Sequence, residues 1–271
     1  MALAGIWSRP FVDLTRYFPD APLALLDDEI TMALTHLPLD YTGGSHKTMG
    51  IVPASLAHDA YVDYGQAIRA FSRDEFVRFA ALADEAWDID PDERNDHEYG
   101  EERAFALSRR QMLFLKYRHK VYFPWKAYFE IIPNHRWEEK ASPYGKAFAR
   151  EALLYMPRTV AFIEQLPFVH IGSAKLLGLE ANDHGTVHRD GVPADKPDAD
   201  HFVTFCPRGD KRFFLWDEEA KTKAFSPSRF YWFNDSDYHG VEADPFFRYS
   251  VRVDGVFTPD FVARLRQDHA A

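Results

Sequence analysis

The sequence predicts an α+β protein in which a mainly helical N-terminal region, residues 1–155, packs on an antiparallel double-sheet core, residues 156–271. Apolar residues recur at helical spacing before Pro167, whereas after it they form strand-length runs separated by Gly, Pro, Asp and Asn. Short strands joined by polar turns favour a barrel of the jelly-roll or cupin kind, that is, a double-stranded β-helix.

Cap signals predict the helices of the N-terminal region. Ser72 and Glu75 form a capping box ahead of an apolar stripe at helical spacing. A second start signal lies at 142–143, where Ser precedes Pro, and Pro157 separates the helix that follows from a further short one. The stretch 111–132 is dense in aromatic and basic residues, and we interpret it as packing between helices and sheet, because aromatic stripes are usually core.

Five apolar runs after Pro167 are predicted to be strands. They cover residues 173–179, 201–206, 212–216, 229–233 and 248–256. The acidic stretch 88–102 between the helical segments is interpreted as a solvated loop without chemistry of its own.

Composition limits the partners that we expect. With 42 acidic against 32 basic residues and no basic cluster interleaved with aromatics, we expect no nucleic acid partner. Cys206 is the only cysteine, so this chain alone forms neither a disulfide nor a thiolate zinc site. The N-terminus lacks a basic region leading into a long apolar stretch, and no run approaches the roughly 18 apolar residues of a membrane span. We therefore expect a cytoplasmic protein with no membrane partner.

One constellation of residues carries chemistry. His188 and Asp190 flank a single residue, and His239 follows later in the chain. Residues two apart on a strand share a face, so the first two can bind one ion. Two imidazoles and one carboxylate are the ligands of the facial triad that holds non-haem Fe(II) and leaves coordination positions open. The alternative is that these are ordinary surface or core histidines in a chain that has 12 of them.

Three polar residues on a later predicted strand could bind a carboxylate. Arg248, Ser250 and Arg252 alternate along the strand and so share a face. An arginine has a planar fork that can hold the carboxylate of an organic co-substrate at two points. The alternative is an ion pair with a neighbouring strand, which we favour more for Arg252 than for Arg248.

Residues 156–260 resemble a known family. The motifs are the stretch 156–167, the stretch 171–180 leading to His188 and Asp190, and the stretch 233–239 followed by Arg248. Together they resemble the aspartyl/asparaginyl β-hydroxylase-like family of Fe(II)- and 2-oxoglutarate-dependent dioxygenases. The resemblance implies that His188, Asp190 and His239 bind iron and that Arg248 anchors the distal carboxylate of 2-oxoglutarate. The strand 201–206 lacks the Arg and His, two apart, that the family usually places there.

The resemblance also implies an activity. It is hydroxylation of a C–H bond of a small amino acid or peptide-like substrate with O2, with release of succinate and CO2. The N-terminal region would shape the substrate pocket, and no catalytic residue is expected beyond the metal ligands. A carboxylate at position 190 favours hydroxylation or desaturation over halogenation, and Arg252, His201 or Lys47 could meet a substrate carboxylate. The alternatives are a cupin-type metal enzyme that does not use 2-oxoglutarate and a non-catalytic cupin module that binds a ligand.

Overall fold

The computed structural model describes residues 2–37, 39, 64–100, 104–123, 127–191 and 198–269. Lys47, one of the predicted carboxylate contacts, lies outside these ranges. Within them the chain combines helices with strands, which confirms the predicted mixture of the two.

Most helices of the described ranges come before Phe168, and most strands begin at or after it. The strands are β1 (Phe11–Asp13), β2 (Ala127–Ile132), β3 (Phe168–Leu179), β4 (Gly185–His188), β5 (Phe202–Phe205), β6 (Phe213–Asp217), β7 (Thr222–Phe225), β8 (Phe230–Phe233), β9 (His239–Val241) and β10 (Arg248–Phe257). The helices are α1 (Leu23–Leu34), α2 (Gly65–Arg69), α3 (Arg73–Ala80), α4 (Arg109–His119), α5 (Arg150–Tyr155), α6 (Pro157–Glu164) and α7 (Pro259–His269). Short 3-10 helices lie at Thr15–Tyr17, Arg94–Asp96 and Trp137–Glu139.

The ten described strands form two sheets, and each pairing between them is antiparallel. The six-stranded sheet has the order β1-β8-β5-β10-β3-β2, and the four-stranded sheet has the order β4-β9-β6-β7. Each of the five predicted strands overlaps an observed one. Closure of the two sheets into a double-stranded β-helix stays a prediction.

Both predicted regions contribute to the larger sheet. Its two edge strands, β1 and β2, come from the N-terminal 155 residues, whereas its four inner strands come from the remainder. The sequence patterns predict no strand at residues 11–13, and they place 127–132 in a packing segment. Strands from both sides of residue 155 therefore belong to the same sheet. The division of the chain into two domains at that residue stays a prediction.

The strand registers place the candidate site residues. His188 lies opposite His239 where β4 pairs with β9, so the two imidazoles are cross-strand neighbours. In the other sheet, β10 runs between β3 and β5, and Arg252 lies opposite both Lys175 and Thr204. These pairings bring residues that are distant in sequence to the same part of the molecule.

Two of the predicted helix starts are confirmed. The hydroxyl of Ser72 caps α3 and accepts the main-chain N–H of Glu75 at 3.3 Å. The carboxylate of Glu75 does not complete a capping box, because it pairs with Arg118 and His119 on α4. Helix α6 begins at Pro157, as predicted, since proline is tolerated in the first turn of a helix.

The predicted helix start at 142–143 is wrong. Helix α5 begins only at Arg150. Gly145 adopts a left-handed conformation with φ of 68°, which interrupts any helix from the predicted start. The main-chain N–H of Ala149 then donates to the carbonyl of Ile131 at 2.9 Å, and this bond ties an extended segment to β2.

The described residues bury two apolar clusters. The larger one surrounds the six-stranded sheet, and the smaller one lies among α2, α3 and α4. The stretch 111–132 contributes to both, with α4 in the smaller cluster and β2 in the larger, which agrees with its interpretation as packing. None of the described helices is long and apolar enough to cross a lipid bilayer.

Candidate metal centre

The three predicted metal ligands converge. His188 ends β4, Asp190 follows two residues later, and His239 begins β9. One potential ligand atom from each lies within 4.8 Å of the others. Asp190 Oδ1 is 3.5 Å from His188 Nε2 and 3.8 Å from His239 Nε2. Ligand bonds of about 2.1 Å at right angles would place donor atoms roughly 3 Å apart, so small side-chain movements would close this group around an ion.

Hydrogen bonds orient both imidazoles. His188 Nδ1 lies 2.7 Å from the carbonyl oxygen of Thr186, and His239 Nδ1 lies 2.8 Å from that of Asp237. Because a carbonyl only accepts, each Nδ1 carries the proton and donates it, and each Nε2 keeps a lone pair. Metal-binding histidines are commonly fixed by such a bond, which sets both the tautomer and the direction of the ring.

The protonation states suit a divalent cation. Burial lowers the pKa of both imidazoles, that of His239 to about 4, so they are neutral at pH 7. Burial alone would raise the pKa of Asp190, but the neighbouring His239 and the permanent charge of Arg252 hold it below its usual value. Two neutral imidazoles and an ionised carboxylate are the forms that bind a metal ion.

A small cavity of about 40 Å³ opens beside these ligands. Its polar wall includes residues from both sheets, and apolar side chains complete it. Besides the three ligands, the lining residues are Leu177, Gly185, Thr186, Thr204, Lys211, Phe213, Tyr231, Phe233, Gly240, Val241, Ser250 and Arg252.

Two hydroxyl groups in the cavity wall support a polar occupant. The side-chain oxygens of Thr186 and Thr204 are buried and have no hydrogen-bond partner among the described residues. An unsatisfied buried hydroxyl costs free energy, and most such groups in folded proteins are paired with protein, water or ligand. A metal with a polar co-substrate beside it would supply the missing partners.

Lys211, which precedes β6, is a site residue that the sequence patterns do not predict. Its side chain is buried in the cavity wall, and its ammonium group donates to Ser250 Oγ at 2.8 Å and to the carbonyl of Leu177 at 3.0 Å. Burial lowers its pKa to about 7. A lysine beside an arginine ahead of a strand resembles an exposed turn, so only the fold reveals this cation.

Arg248 lies outside the cavity lining. Its guanidinium donates to the main-chain oxygens of Glu180 at 2.9 Å, Glu242 at 2.6 Å and Phe246 at 3.2 Å, and also to that of Asp183. The side chain is fully buried, and its guanidinium links the turns near the start of β10 through these hydrogen bonds. The structure therefore does not bring Arg248 to the metal ligands, although it does bring Ser250 and Arg252 there.

His201 also lies away from the metal ligands. It lines a surface groove with Trp232 and Asp200, and its ring stacks on Phe257 with centroids 4.8 Å apart. Its Nδ1 accepts the main-chain N–H of Phe257 at 3.2 Å. These contacts make it part of the packing at the end of β10.

Comparisons with known proteins give a limited result. No family model matches the chain, and no curated protein matches it. Among solved structures, the chain is similar to a 2OG-Fe(II) oxygenase family oxidoreductase from Burkholderia pseudomallei, with 12% identity over 48% of this chain and 70% of that one and a TM-score of 0.29.

Two prolyl hydroxylases match at a comparable level. The Pseudomonas putida prolyl-4-hydroxylase is 11% identical over 41% of this chain and 66% of that one, with a TM-score of 0.25. The viral collagen prolyl hydroxylase from Paramecium Bursaria Chlorella virus-1, solved with 2OG, is 9% identical over 48% and 79%, with a TM-score of 0.26. At these sequence identities and TM-scores the structural similarity gives no information about function. Membership of the aspartyl/asparaginyl β-hydroxylase-like family stays a prediction.

Proposed function

We propose that this chain is an Fe(II)- and 2-oxoglutarate-dependent dioxygenase that hydroxylates a C–H bond of a small amino acid or peptide-like substrate. The observation that carries the proposal is the buried group formed by His188, Asp190 and His239, with both Nε2 lone pairs available. Two imidazoles and a carboxylate are typical of non-haem Fe(II) sites that keep open positions. No fourth His, Cys, Asp or Glu side chain in the described ranges joins the group.

Iron bound at these ligands would supply the activation of O2, coupled to conversion of 2-oxoglutarate into succinate and CO2. The protein's own contribution is to bind and orient. The carbonyl oxygens of Thr186 and Asp237 hold the two imidazoles, and the apolar walls formed by Phe213, Phe233 and Val241 limit the access of water.

We assign the distal carboxylate of 2-oxoglutarate to Lys211, with Ser250 and Thr204 as further donors. Lys211 and Ser250 are already joined by a hydrogen bond, and the hydroxyl of Thr204 has no described partner. A carboxylate at this point would raise the pKa of the buried ammonium and keep it charged. Arg248, which the family resemblance favours for this role, has its fork occupied by main-chain carbonyls.

The size of the cavity bears on how the co-substrate enters. A volume of about 40 Å³ is enough for roughly three water molecules, so we expect side chains to move when a five-carbon acid binds. Lys211 can exchange its present bonds to Leu177 and Ser250 for bonds to a carboxylate, and we expect this exchange on binding.

The test is a screen of free amino acids and short peptides with the purified protein loaded with Fe(II) under anaerobic conditions. The expected result is succinate release coupled to O2 uptake, which is lost together with iron binding in His239→Ala. His135→Ala is the matched control, because this histidine is exposed and belongs neither to the ligand group nor to the cavity lining. Failure of the wild-type protein to bind Fe(II) would overturn the proposal, and O2 uptake without succinate would favour a metal enzyme that does not use 2-oxoglutarate.

A further inference from the structure

The two oxygens of the Asp190 carboxylate have different surroundings. Oδ1 faces the two imidazoles, at 3.5 Å from His188 Nε2 and 3.8 Å from His239 Nε2. Oδ2 faces away from them and lies 3.3 Å from Nη1 of Arg252. The carboxylate thus presents one oxygen to the candidate metal position and the other to a buried guanidinium.

Arg252 is held by three carboxylates. Its Nε donates to Asp254 at 2.8 Å, its Nη2 donates to Asp235 at 2.8 Å, and its Nη1 is the group that faces Asp190. The plane of the guanidinium lies against the ring of Phe202, with the central carbon 3.8 Å from the ring centroid. Each guanidinium nitrogen already faces a carboxylate, so the orientation of the guanidinium is fixed and its nitrogens are engaged by side chains of the protein.

Asp235 supports Asp190 in two ways. Its side chain binds Arg252, and its main-chain carbonyl accepts the N–H of Asp190 at 2.8 Å. The same carboxylate is 2.6 Å from the ammonium of Lys140, which also lies 2.6 Å from Asp200. The ion pairs therefore connect the candidate metal ligand to a segment that follows the 3-10 helix Trp137–Glu139.

The charges of this network nearly balance. Its carboxylates are Asp190, Asp200, Asp235 and Asp254, and its cations are Lys140, Lys175 and Arg252. The side chain of Asp200 is 25% exposed, whereas the other three carboxylates are almost fully buried, so the buried part of the network holds three groups of each sign. The buried carboxylates, Asp190 among them, are therefore compensated within the protein, as buried charges must be.

We propose that Arg252, supported by Asp235, is a positioning residue that holds Asp190 as a single-oxygen ligand, and that it does not bind the co-substrate. This inference rests on the metal centre proposed above. A carboxylate without this partner could rotate and chelate the ion with both oxygens, which would occupy a position that an exogenous ligand needs. Removal of the guanidinium would therefore change both the affinity and the coordination of the ion through Asp190.

A double-mutant cycle on the full chain tests this coupling, with Mn²⁺ as the probe. We expect Arg252→Met to weaken Mn²⁺ binding by about 10- to 100-fold when Asp190 is present, and by less than about threefold in the Asp190→Ala background. A purely structural role would weaken binding by the same factor in both backgrounds, because the histidines would be disturbed equally. Equal factors, or no weakening at all, would overturn the inference.

Lys175→Met is the matched control. Lys175 belongs to the same buried network and lies 3.4 Å from Asp254, but its ammonium forms no described ion pair with Asp190. We expect this variant to leave the affinity for Mn²⁺ within about threefold of the wild-type value. If it matches Arg252→Met, the effect belongs to the network as a whole and the specific role of Arg252 is rejected.

A spectroscopic measurement reports the coordination directly. In Co²⁺-substituted protein, a change of Asp190 from one-oxygen to two-oxygen binding alters the visible absorption, and we expect this change in Arg252→Met and not in Lys175→Met. If Arg252→Met does not fold, Arg252→Lys replaces it, because it keeps the charge but loses the fork and should show the same spectral change. An unchanged spectrum in the folded variant rejects the inference.

The outcomes separate this inference from the proposed function. If the wild-type protein binds neither Mn²⁺ nor Fe(II), the metal centre itself is rejected and both fall. If the wild-type protein binds metal and forms succinate but shows no coupling between Asp190 and Arg252, only the positioning role is rejected.

Discussion

The two sides of the Asp190 carboxylate differ in how their polar groups are paired. On the Arg252 side, charged groups meet partners of opposite sign at distances of 2.6–3.4 Å. On the cavity side, the hydroxyls of Thr186 and Thr204 have no described partner. The charged groups on the Arg252 side therefore find partners of opposite sign within the protein, whereas the two hydroxyls on the cavity side can pair with what the cavity binds. The two sides should therefore respond differently to substitution.

The largest expected effect is on the paired side. Asp235→Asn removes the charge that faces both Arg252 and Lys140 in a position with no solvent exposure. Breaking a buried ion pair by removing one partner leaves an uncompensated charge, so we expect the free energy of unfolding to fall by about 3 kcal/mol. Urea denaturation measures this change.

The control for that prediction is Asp84→Asn. Asp84 pairs with Arg110 at 3.6 Å, but both side chains are more than half exposed. Surface pairs contribute little, so the midpoint should stay within experimental error. A similarly small effect for Asp235→Asn would mean that the two sides of Asp190 do not differ as described.

The second prediction concerns the cavity side. Lys211→Met removes the cation that we assign to the distal carboxylate, and we expect the dissociation constant for 2-oxoglutarate to rise about 100-fold, measured calorimetrically on Mn²⁺-loaded protein. Arg248→Met is the contrasting variant: it should lower stability, because main-chain carbonyls lose their donors, but change 2-oxoglutarate affinity by less than about threefold. The reverse pattern would restore the role that the family resemblance gives to Arg248.

These two residues show what sequence can and cannot predict in this chain. The ligands His188 and Asp190 are two apart in sequence, and this spacing predicts that they meet, although β4 ends at His188 and Asp190 lies in the bend after it. The direction of the Arg248 side chain is decided by main-chain carbonyls, of which those of Glu180 and Asp183 are distant in sequence, and the burial of Lys211 is decided by how the two sheets meet. Neither fact is encoded in residue spacing.

The fold shows a similar division. The five strands with continuous apolar runs were predictable, because their own side chains carry the signal. Strand β1 has only three residues and exists as an edge partner of β8, and β4 and β9 are of similar length. Short strands depend on their neighbours for hydrogen bonds, so the sequence alone contains little to mark them.

The third prediction concerns the close contact between β3 and the backbone of Lys140 and Ala141. A Cβ at Gly172 would lie 2.4 Å from the carbonyl oxygen of Lys140 and 2.5 Å from the carbonyl carbon of Ala141. Both are backbone atoms, so Gly172→Ala must displace the segment and disturb the pairing of Lys140 with Asp235. We expect a loss of about 1–3 kcal/mol in the free energy of unfolding, with the cavity-side affinity for 2-oxoglutarate largely retained. Loss of affinity without loss of stability would contradict the separation of the two sides.

The smallest expected effect is a pH dependence on the cavity side. Burial lowers the pKa of Lys211 to about 7, so the free protein loses this positive charge as the pH rises from 7 to 9. A carboxylate binds best to the protonated ammonium, and its binding raises that pKa. The dissociation constant for 2-oxoglutarate should therefore rise with pH, by at most about tenfold per pH unit.

The stability of the ligand-free protein should increase with pH, whereas the affinity for 2-oxoglutarate decreases. Because the pKa of Lys211 is lower in the folded than in the unfolded protein, the unfolded state binds more protons between pH 7 and about 10, and stability contributed by this group rises with pH across that window. Lys211→Met should abolish both dependences, leaving weak binding that is flat from pH 7 to 9. If the wild-type affinity is itself flat over that range, Lys211 does not meet the carboxylate, and the unsatisfied hydroxyls of the cavity would then have to be explained by a different occupant.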